Sequence, residues 1–252
     1  MTSGIRTGID GMERLMETVY EDAELLVVNK PAGLVCHPTK TDGYSSLISR
    51  VRLHLGEEMK AHLINRLDRE TSGLVLVAKR DDAARELRQI WETRAARKEY
   101  LAIVRGHVCA DHDVIDAPLG KDRQSVVVIK DCVRRDGASA QTGFHVERRF
   151  TRTEGEFTLV RVVPGTGRKH QIRIHLAHYG HPIVGDKIYG GDENLYLDFV
   201  RRQLTEDQRR RLILPHHALH ARSLRFLWRN AERAFEAEPE GWFTGFAGKT
   251  SS

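Results

Sequence analysis

The chain has 252 residues, 40% of them hydrophobic, enough to bury a core as one large domain or two small ones, and no apolar run nears the roughly eighteen residues of a membrane helix. Lys plus Arg number 40 against 35 Asp plus Glu, a net +5 that suits a polyanionic partner without requiring one. The N-terminal MTSGIRTGIDGM has no signal-peptide apolar centre, and Cys36, Cys109 and Cys132 are odd in number and outside any CxxC pattern, so a cytoplasmic protein without a disulfide framework or zinc ribbon is expected.

In chain order, residues 17–20 and 24–30 are short apolar runs split by Glu21-Asp22, and Pro31-Ala32-Gly33 stops the second, as strands joined by turns require. Leu47, Ile48, Val51 and Leu55 recur at helical spacing. The run LVLVA at 74–78 predicts a buried strand, followed by a helix over 82–94 with Ala84, Leu87, Ile90 and Trp91 on one face. Strands are predicted at 99–104, 124–130, 140–148 and 156–163. Gly165-Thr166-Gly167-Arg168 is a basic turn, and KHQIRIHLAHYG reads as a helix ended by Gly180, with Ile172, Leu176 and Tyr179 along one side. The pattern is mixed α+β. No repeat, low-complexity tract or linker divides it, so one domain over about residues 15–245 is expected.

The segment Ile64-Asn65-Arg66-Leu67-Asp68-Arg69-Glu70-Thr71-Ser72-Gly73-Leu74 puts an acid and two guanidinium groups in a short polar loop before an apolar strand, a usual mounting for binding and catalytic groups. Flanking arginines would keep Asp68 ionised and so fit to act as a nucleophile, but the spacing equally suits a solvated turn with a surface ion pair. A second segment runs from Thr166 through His175, with Gly180-His181-Pro182-Ile183-Val184-Gly185-Asp186 after it. Glycines and basic side chains at a helix start suit a phosphate seat, and a basic surface helix needs no ligand at all.

Taken together these segments resemble the RluA family of pseudouridine synthases. The family's RLD-x-x-TSG loop stands at Arg66 to Gly73, its basic-x-Tyr strand at Lys98-Glu99-Tyr100, its TGR-x-HQIR-x-HL signature at Thr166 to Leu176 and its GHP-x-VGD segment at Gly180 to Asp186. Leu219-His220-Ala221 with Leu224 and Phe226 matches a C-terminal LHA-x-x-L-x-F strand, so the similarity runs in order from about residue 20 to 230. It implies one catalytic domain with a mixed, mainly antiparallel sheet flanked by helices and an active-site cleft across the sheet. The implied reaction is isomerisation of uridines in structured ribosomal or transfer RNA. By that resemblance Asp68 is the nucleophile or general base, Tyr100 stacks on uracil and Arg173 pairs with Asp68. Arg66 fills the gap left by the flipped base, Ile172 or its neighbour walls the pocket, and Lys98, Arg168 and Lys169 meet phosphates.

The base must be extruded from its stack at a cost of a few kcal/mol, which contacts in the pocket offset. No redox change or phosphoryl transfer occurs, so no cofactor or metal is required. This chain has Asn65 where many relatives have His, which keeps a hydrogen bond but not a cation. Some fifteen residues precede the first strand, so no separate N-terminal RNA-binding domain is expected; neither is a membrane partner, and a monomer is the default.

Other groupings point elsewhere. His170, His175, His178 and His181, or His216, His217 and His220, suggest metal ligands but fit neither HExxH nor a paired-cysteine spacing. Asp68 with Glu70 suggests a glycosidase pair, though alternate turn residues need not face each other. Cys36 beside His37 suggests a thiol nucleophile without an orienting third group. RRQLTEDQRRR at 201–211 suits a solvated helix face. Against the synthase stand a non-catalytic RNA-binding protein on the same fold, which would have no use for Asp68, and a metal-dependent hydrolase, which a chelator would stop.

Overall fold

The structure, a computed structural model, describes residues 16–38, 46–56 and 59–248. Its elements in chain order are β1 (Glu17–Glu21), β2 (Leu25–Lys30), α1 (Leu47–Leu55), β3 (His62–Leu63), β4 (Ser72–Ala78), α2 (Asp81–Glu92), β5 (Arg97–Arg105), β6 (His112–Asp116), β7 (Leu119–Lys121) and β8 (Asp131–Val133). There follow β9 (Gln141–Arg152), β10 (Gly155–Pro164), α3 (Gln171–His178), α4 (Asn194–Val200), α5 (Glu206–Leu212), β11 (Leu219–Trp228), β12 (Ala231–Glu236) and α6 (Gly241–Ala247).

A strand with no polar face must be covered on both sides. Every residue of β2 and β4 is buried, and the pleat sends alternate side chains to different helices. Leu25, Val27, Leu74 and Leu76 meet Ala84 and Leu87 of α2, whereas Leu26, Val28, Val75 and Val77 meet Leu47 and Val51 of α1. A third cluster packs Ile172 and Leu176 of α3 and Phe243 of α6 on Leu101, Ile103, Val160 and Val162. The expected apolar faces of all three helices are therefore the faces used.

Ten of the twelve strands form one sheet in the order β1-β2-β4-β11-β5-β10-β9-β6, with β3 beside β4 and β12 beside β11, and β7 and β8 form a separate two-stranded sheet. Pairing is antiparallel except between β4 and β11, which run parallel with His220 opposite Ser72 and Ala221 opposite Gly73. Gly73 has φ +112°, and a Cβ there would stand 2.3 Å from the Ala221 carbonyl oxygen, so only glycine lets β11 approach. The expected mixed sheet flanked by helices is what the chain forms.

One predicted strand is absent. Residues 124–130 are a loop between β7 and β8, which pair with each other. Its apolar run misled because side chains, not a neighbouring strand, take the backbone amides. Asp122 Oδ1 accepts from Gln124 N and Ser125 N at 3.0 and 3.2 Å, and Glu193 Oε1 accepts from Val126 N at 3.3 Å. Only Val127 of the run is buried among the core residues, while Val126 and Val128 are 65% and 81% exposed.

Candidate active site

Asp68 lies in the loop between β3 and β4, and the chain fixes that loop from several sides. Asn65 serves as a strand partner to β4: its amide donates to Leu74 O at 3.0 Å and its Oδ1 accepts from Leu76 N at 2.8 Å. Both neighbours of Asp68 are held by residues that follow β2. Cys36 Sγ accepts from Leu67 N and donates to Leu67 O, each at 3.4 Å, while Gly33 N donates to Arg69 O at 2.9 Å. The fully buried Lys30 ammonium donates to Pro31 O, Leu34 O and Arg69 O at 2.9, 2.8 and 3.2 Å. Burial pushes the Cys36 thiol up, so this cysteine is a fastener of the loop rather than a reactive thiolate.

Facing the loop is α3. Arg173, 5% exposed, donates from Nη1 to Asp68 Oδ2 at 2.9 Å, and from Nε and Nη2 to both oxygens of Asp186 at 2.7 and 2.9 Å. Asp186 is itself fixed by the amides of Ile188 and Tyr189. The ion pair is thus a triad in which the deep carboxylate aims the guanidinium at the shallow one. Burial pushes the Asp68 carboxyl up, but Arg173 and, less strongly, His170 and His217 bring it below the usual carboxylate value. Burial also pushes His170 and His217 down to about 4, so near neutrality they are uncharged and Arg173 is what keeps Asp68 ionised. His170, in left-handed backbone at the start of α3, bonds Tyr189 Oη at 2.9 Å, with its Nε2 3.8 Å from Asp68 Oδ2.

Asp68, Arg66 and Thr71 from the loop, Lys98 and Tyr100 from β5, and Gly167, Arg168, Ile172 and Arg173 from the turn and first part of α3 line one pocket of about 100 Å3. Burial, then the charge of Asp68, pushes the Tyr100 hydroxyl up to about 12. Burial pushes the Lys98 ammonium down, and it has no carboxylate partner among the described residues. Arg66 and Arg168 are exposed, and Arg168 Nε reaches only Ser139 O, at 3.2 Å. Of the eight site residues that the family resemblance implied, Lys169 alone is not part of this lining; its ammonium pairs with Asp131 at 2.9 Å.

Glu70 does not face Asp68: it takes Lys187 Nζ at 2.7 Å, with His216 and His217 at 3.4 and 3.6 Å. His220 instead bonds Ser72 Oγ and Ala237 O, each at 2.9 Å, and His175 bonds Thr142 Oγ1 and Ala117 O. His216 and His217 thus share the Glu70 cluster, whereas His175 and His220 are each packed into hydrogen bonds of their own. Sequence reasoning did not assign roles to Asp186, His170 or His217. Asp186 closes the Gly180 to Asp186 segment, and an acid after a glycine within a basic motif was the available signal. His217, with Nε2 2.7 Å from Thr71 Oγ1, gave none.

The site thus sets an ionised carboxylate, held by a buried arginine, in one pocket with a tyrosine, in a cleft rimmed by cations and built across a mainly antiparallel sheet. The chain belongs to the RluA family of RNA pseudouridine synthases: the family model described as RNA pseudouridylate synthase matches residues 24–178. It is 39% identical over 184 residues to the uncharacterised RNA pseudouridine synthase YlyB of Bacillus subtilis, a match covering 69% of this chain and 58% of that one. It is 39% identical over 175 residues to the dual-specificity RNA pseudouridine synthase RluA of Vibrio vulnificus, covering 69% and 68%. The chain thus spans little more than half the length of some curated relatives. Human RNA pseudouridylate synthase domain containing 4 shares its fold with a TM-score of 0.69, at 28% identity over 90% of each chain. The family resemblance read from the motifs is borne out.

Proposed function

We propose that this chain isomerises selected uridines of structured RNA, ribosomal or transfer, to pseudouridine, with Asp68 as nucleophile or general base. The observation that carries the reading is the 2.9 Å contact from buried Arg173 to Asp68 in the same pocket as Tyr100. Asp68 is held ionised, half-buried, among cations, and a protein that only bound RNA phosphates would have no use for a negative charge there. The names of the relatives point to the same chemistry.

In this reading the target base leaves its stack, Arg66 takes its place, and the uracil enters the pocket between Tyr100 and Ile172. The bond from ribose C1′ to N1 breaks, the ring turns, and a bond from C1′ to C5 forms. The C5 hydrogen is lost, and N1 ends protonated. Asp68 serves either by adding covalently to the sugar or base, or by removing a ribose proton to give a glycal. Lys98 and Arg168 neutralise phosphates, while Lys169, which the sequence also offered for that role, is already paired with Asp131. One catalytic domain over about residues 15–245 acts as a monomer, without metal, in the cytoplasm.

The test is tritium release from RNA labelled at uracil C5, comparing the native protein with Asp68→Asn in excess chelator. Release by the native protein alone is expected. Absence of release from any cellular RNA would leave only a binding protein, and equal release by both would remove Asp68 from the reaction.

A further inference from the structure

His170 has no task among the roles assigned above, although its ring lines the catalytic pocket and its side chain is only 8% exposed. One end of the ring is fixed. Tyr189 Oη lies 2.9 Å from His170 Nδ1, and the same oxygen accepts from the Asp131 backbone N–H at 3.3 Å. Tyr189 is in turn held by its own N–H, which donates to Asp186 Oδ1, and by the Arg173 guanidinium 5.0 Å from its ring centre. The carboxylate that aims Arg173 at Asp68 therefore also anchors the tyrosine that holds His170.

These contacts decide which ring nitrogen carries the proton. With Asp131 already donating to Tyr189 Oη, the hydroxyl's own proton has one acceptor among the described residues, His170 Nδ1. Nδ1 thus accepts, and the proton of the neutral imidazole sits on Nε2. Burial, which pushes the ring down to about 4, keeps it neutral near pH 7. Nε2 is 3.8 Å from Asp68 Oδ2, too far for a hydrogen bond, and it makes no other among the described residues. Nor is it one of the polar atoms sealed away from solvent, so this uncommitted N–H opens into the pocket that the ring lines, beside Asp68.

We propose that His170 is a further catalytic residue: its Nε2–H donates to a carbonyl oxygen of the uracil while the base is detached, and Tyr189 is the positioning residue that sets the tautomer. The inference rests on the synthase reading. When Asp68 adds to the sugar or takes a ribose proton, the C1′–N1 electron pair leaves with the uracil, whose negative charge spreads over N1 and the carbonyl oxygens. An imidazolium here would protonate that anion and leave neutral uracil, a poor nucleophile at C5. A neutral imidazole stabilises the charge through a hydrogen bond and keeps its proton, so C5 can still attack C1′. No proton is transferred to or from His170; N1 still gains one and C5 still loses one.

Two measurements test it. Single-turnover tritium release and RNA binding are followed on cellular RNA labelled at uracil C5 and taken from cells lacking the gene. His170→Phe should slow release about 100-fold, the scale for one donor to a developing anion, while Kd stays within about threefold. His170→Gln keeps an N–H that cannot become cationic and should return the rate to within about tenfold of native. Separately, NMR of protein labelled at the histidine ring nitrogens, assigned by the signals missing from His170→Gln, reads the tautomer. Native His170 is expected with its proton on Nε2 alone, and Tyr189→Phe with a mixture of the two forms. A proton on Nδ1 in the native protein, or loss of RNA binding in step with rate in both His170 variants, would overturn the role. Native release that His170→Phe leaves intact would remove His170 alone, whereas no release by the native protein would bring down the synthase reading and this role with it.

Discussion

Asp186→Asn and Asp68→Asn form a pair whose effects on stability and activity should run in opposite order. Asp186 is wholly buried and accepts two bonds from Arg173, while Asp68 is 30% exposed and accepts one. Removing one member of a buried ion pair costs about 3–5 kcal/mol, because a buried charge is left unmatched. Asp186→Asn retains an acceptor but presents an amide N–H to a guanidinium, so a loss of about 3 kcal/mol is expected; at ~2–4 °C per kcal/mol for a chain of this size, the midpoint falls by about 6–12 °C. Asp68→Asn leaves Arg173 paired with Asp186 and removes a partly solvated charge, so its effect should stay within about 1 kcal/mol. Activity should invert the order: at least about 100-fold loss of kcat for Asp68→Asn, and about tenfold for Asp186→Asn through a misaimed Arg173. Thermal unfolding and tritium release on the two purified variants decide it. If Asp68→Asn were the more destabilising, the deep carboxylate would not be the anchor and the triad would be misread.

Tyr100→Phe should keep kcat within about tenfold, because a hydroxyl held up to about 12 is poorly matched to proton transfer near neutrality; a hundredfold fall would assign it that role. His217 and His220, both held down to about 4 by burial, are neutral in the folded state below their ordinary value of 6.5. The unfolded chain then binds more protons between those values, so stability is full above pH 6.5 and is lost as pH falls toward 4, by up to about 3 kcal/mol per histidine at 1.36 kcal/mol per unit; urea midpoints at pH 8 and 5 should differ accordingly. Gly73→Ala places a methyl group against the Ala221 backbone and should prevent β4 and β11 from pairing, seen as loss of cooperative unfolding. Arg168→Ala should lower the salt dependence of RNA binding more than Lys169→Ala, since Lys169 is already paired with Asp131; equal effects would put both on phosphates.

Much of this was legible because the informative signals were local. LVLVA and LLVV each lack a polar face, which already requires cover on both sides, and Ile172, Leu176 and Tyr179 show the buried side of α3. Asp68 was harder. Its spacing equally fitted a solvated turn, and what separates the alternatives is Arg173, 105 positions away. The same reason explains the failure at 124–130, where β-branched residues satisfy strand propensity but Glu193, remote in sequence, competes for the backbone amide of Val126. Asp186 and His217 were missed because a buried charge or a neutral imidazole is defined by what surrounds it, and periodicity carries no record of that. Asn65 reverses the case: the sequence flagged a lost imidazole, and the structure gives its amide to the backbone of β4.

The place of β11 in the sheet has a consequence for how the protein is made. The strand that follows the Asp68 loop and the strand bearing Tyr100 are not neighbours; β11 lies between them, and it is nearly the last strand in the chain. During synthesis the loop and the tyrosine emerge long before the segment that joins their strands, so the two halves of the pocket cannot be set against each other until residues 219–228 are available. Contacts of such long sequence separation slow folding. A ribosome stalled earlier than that would hold every residue assigned here to the chemistry and still display no pocket.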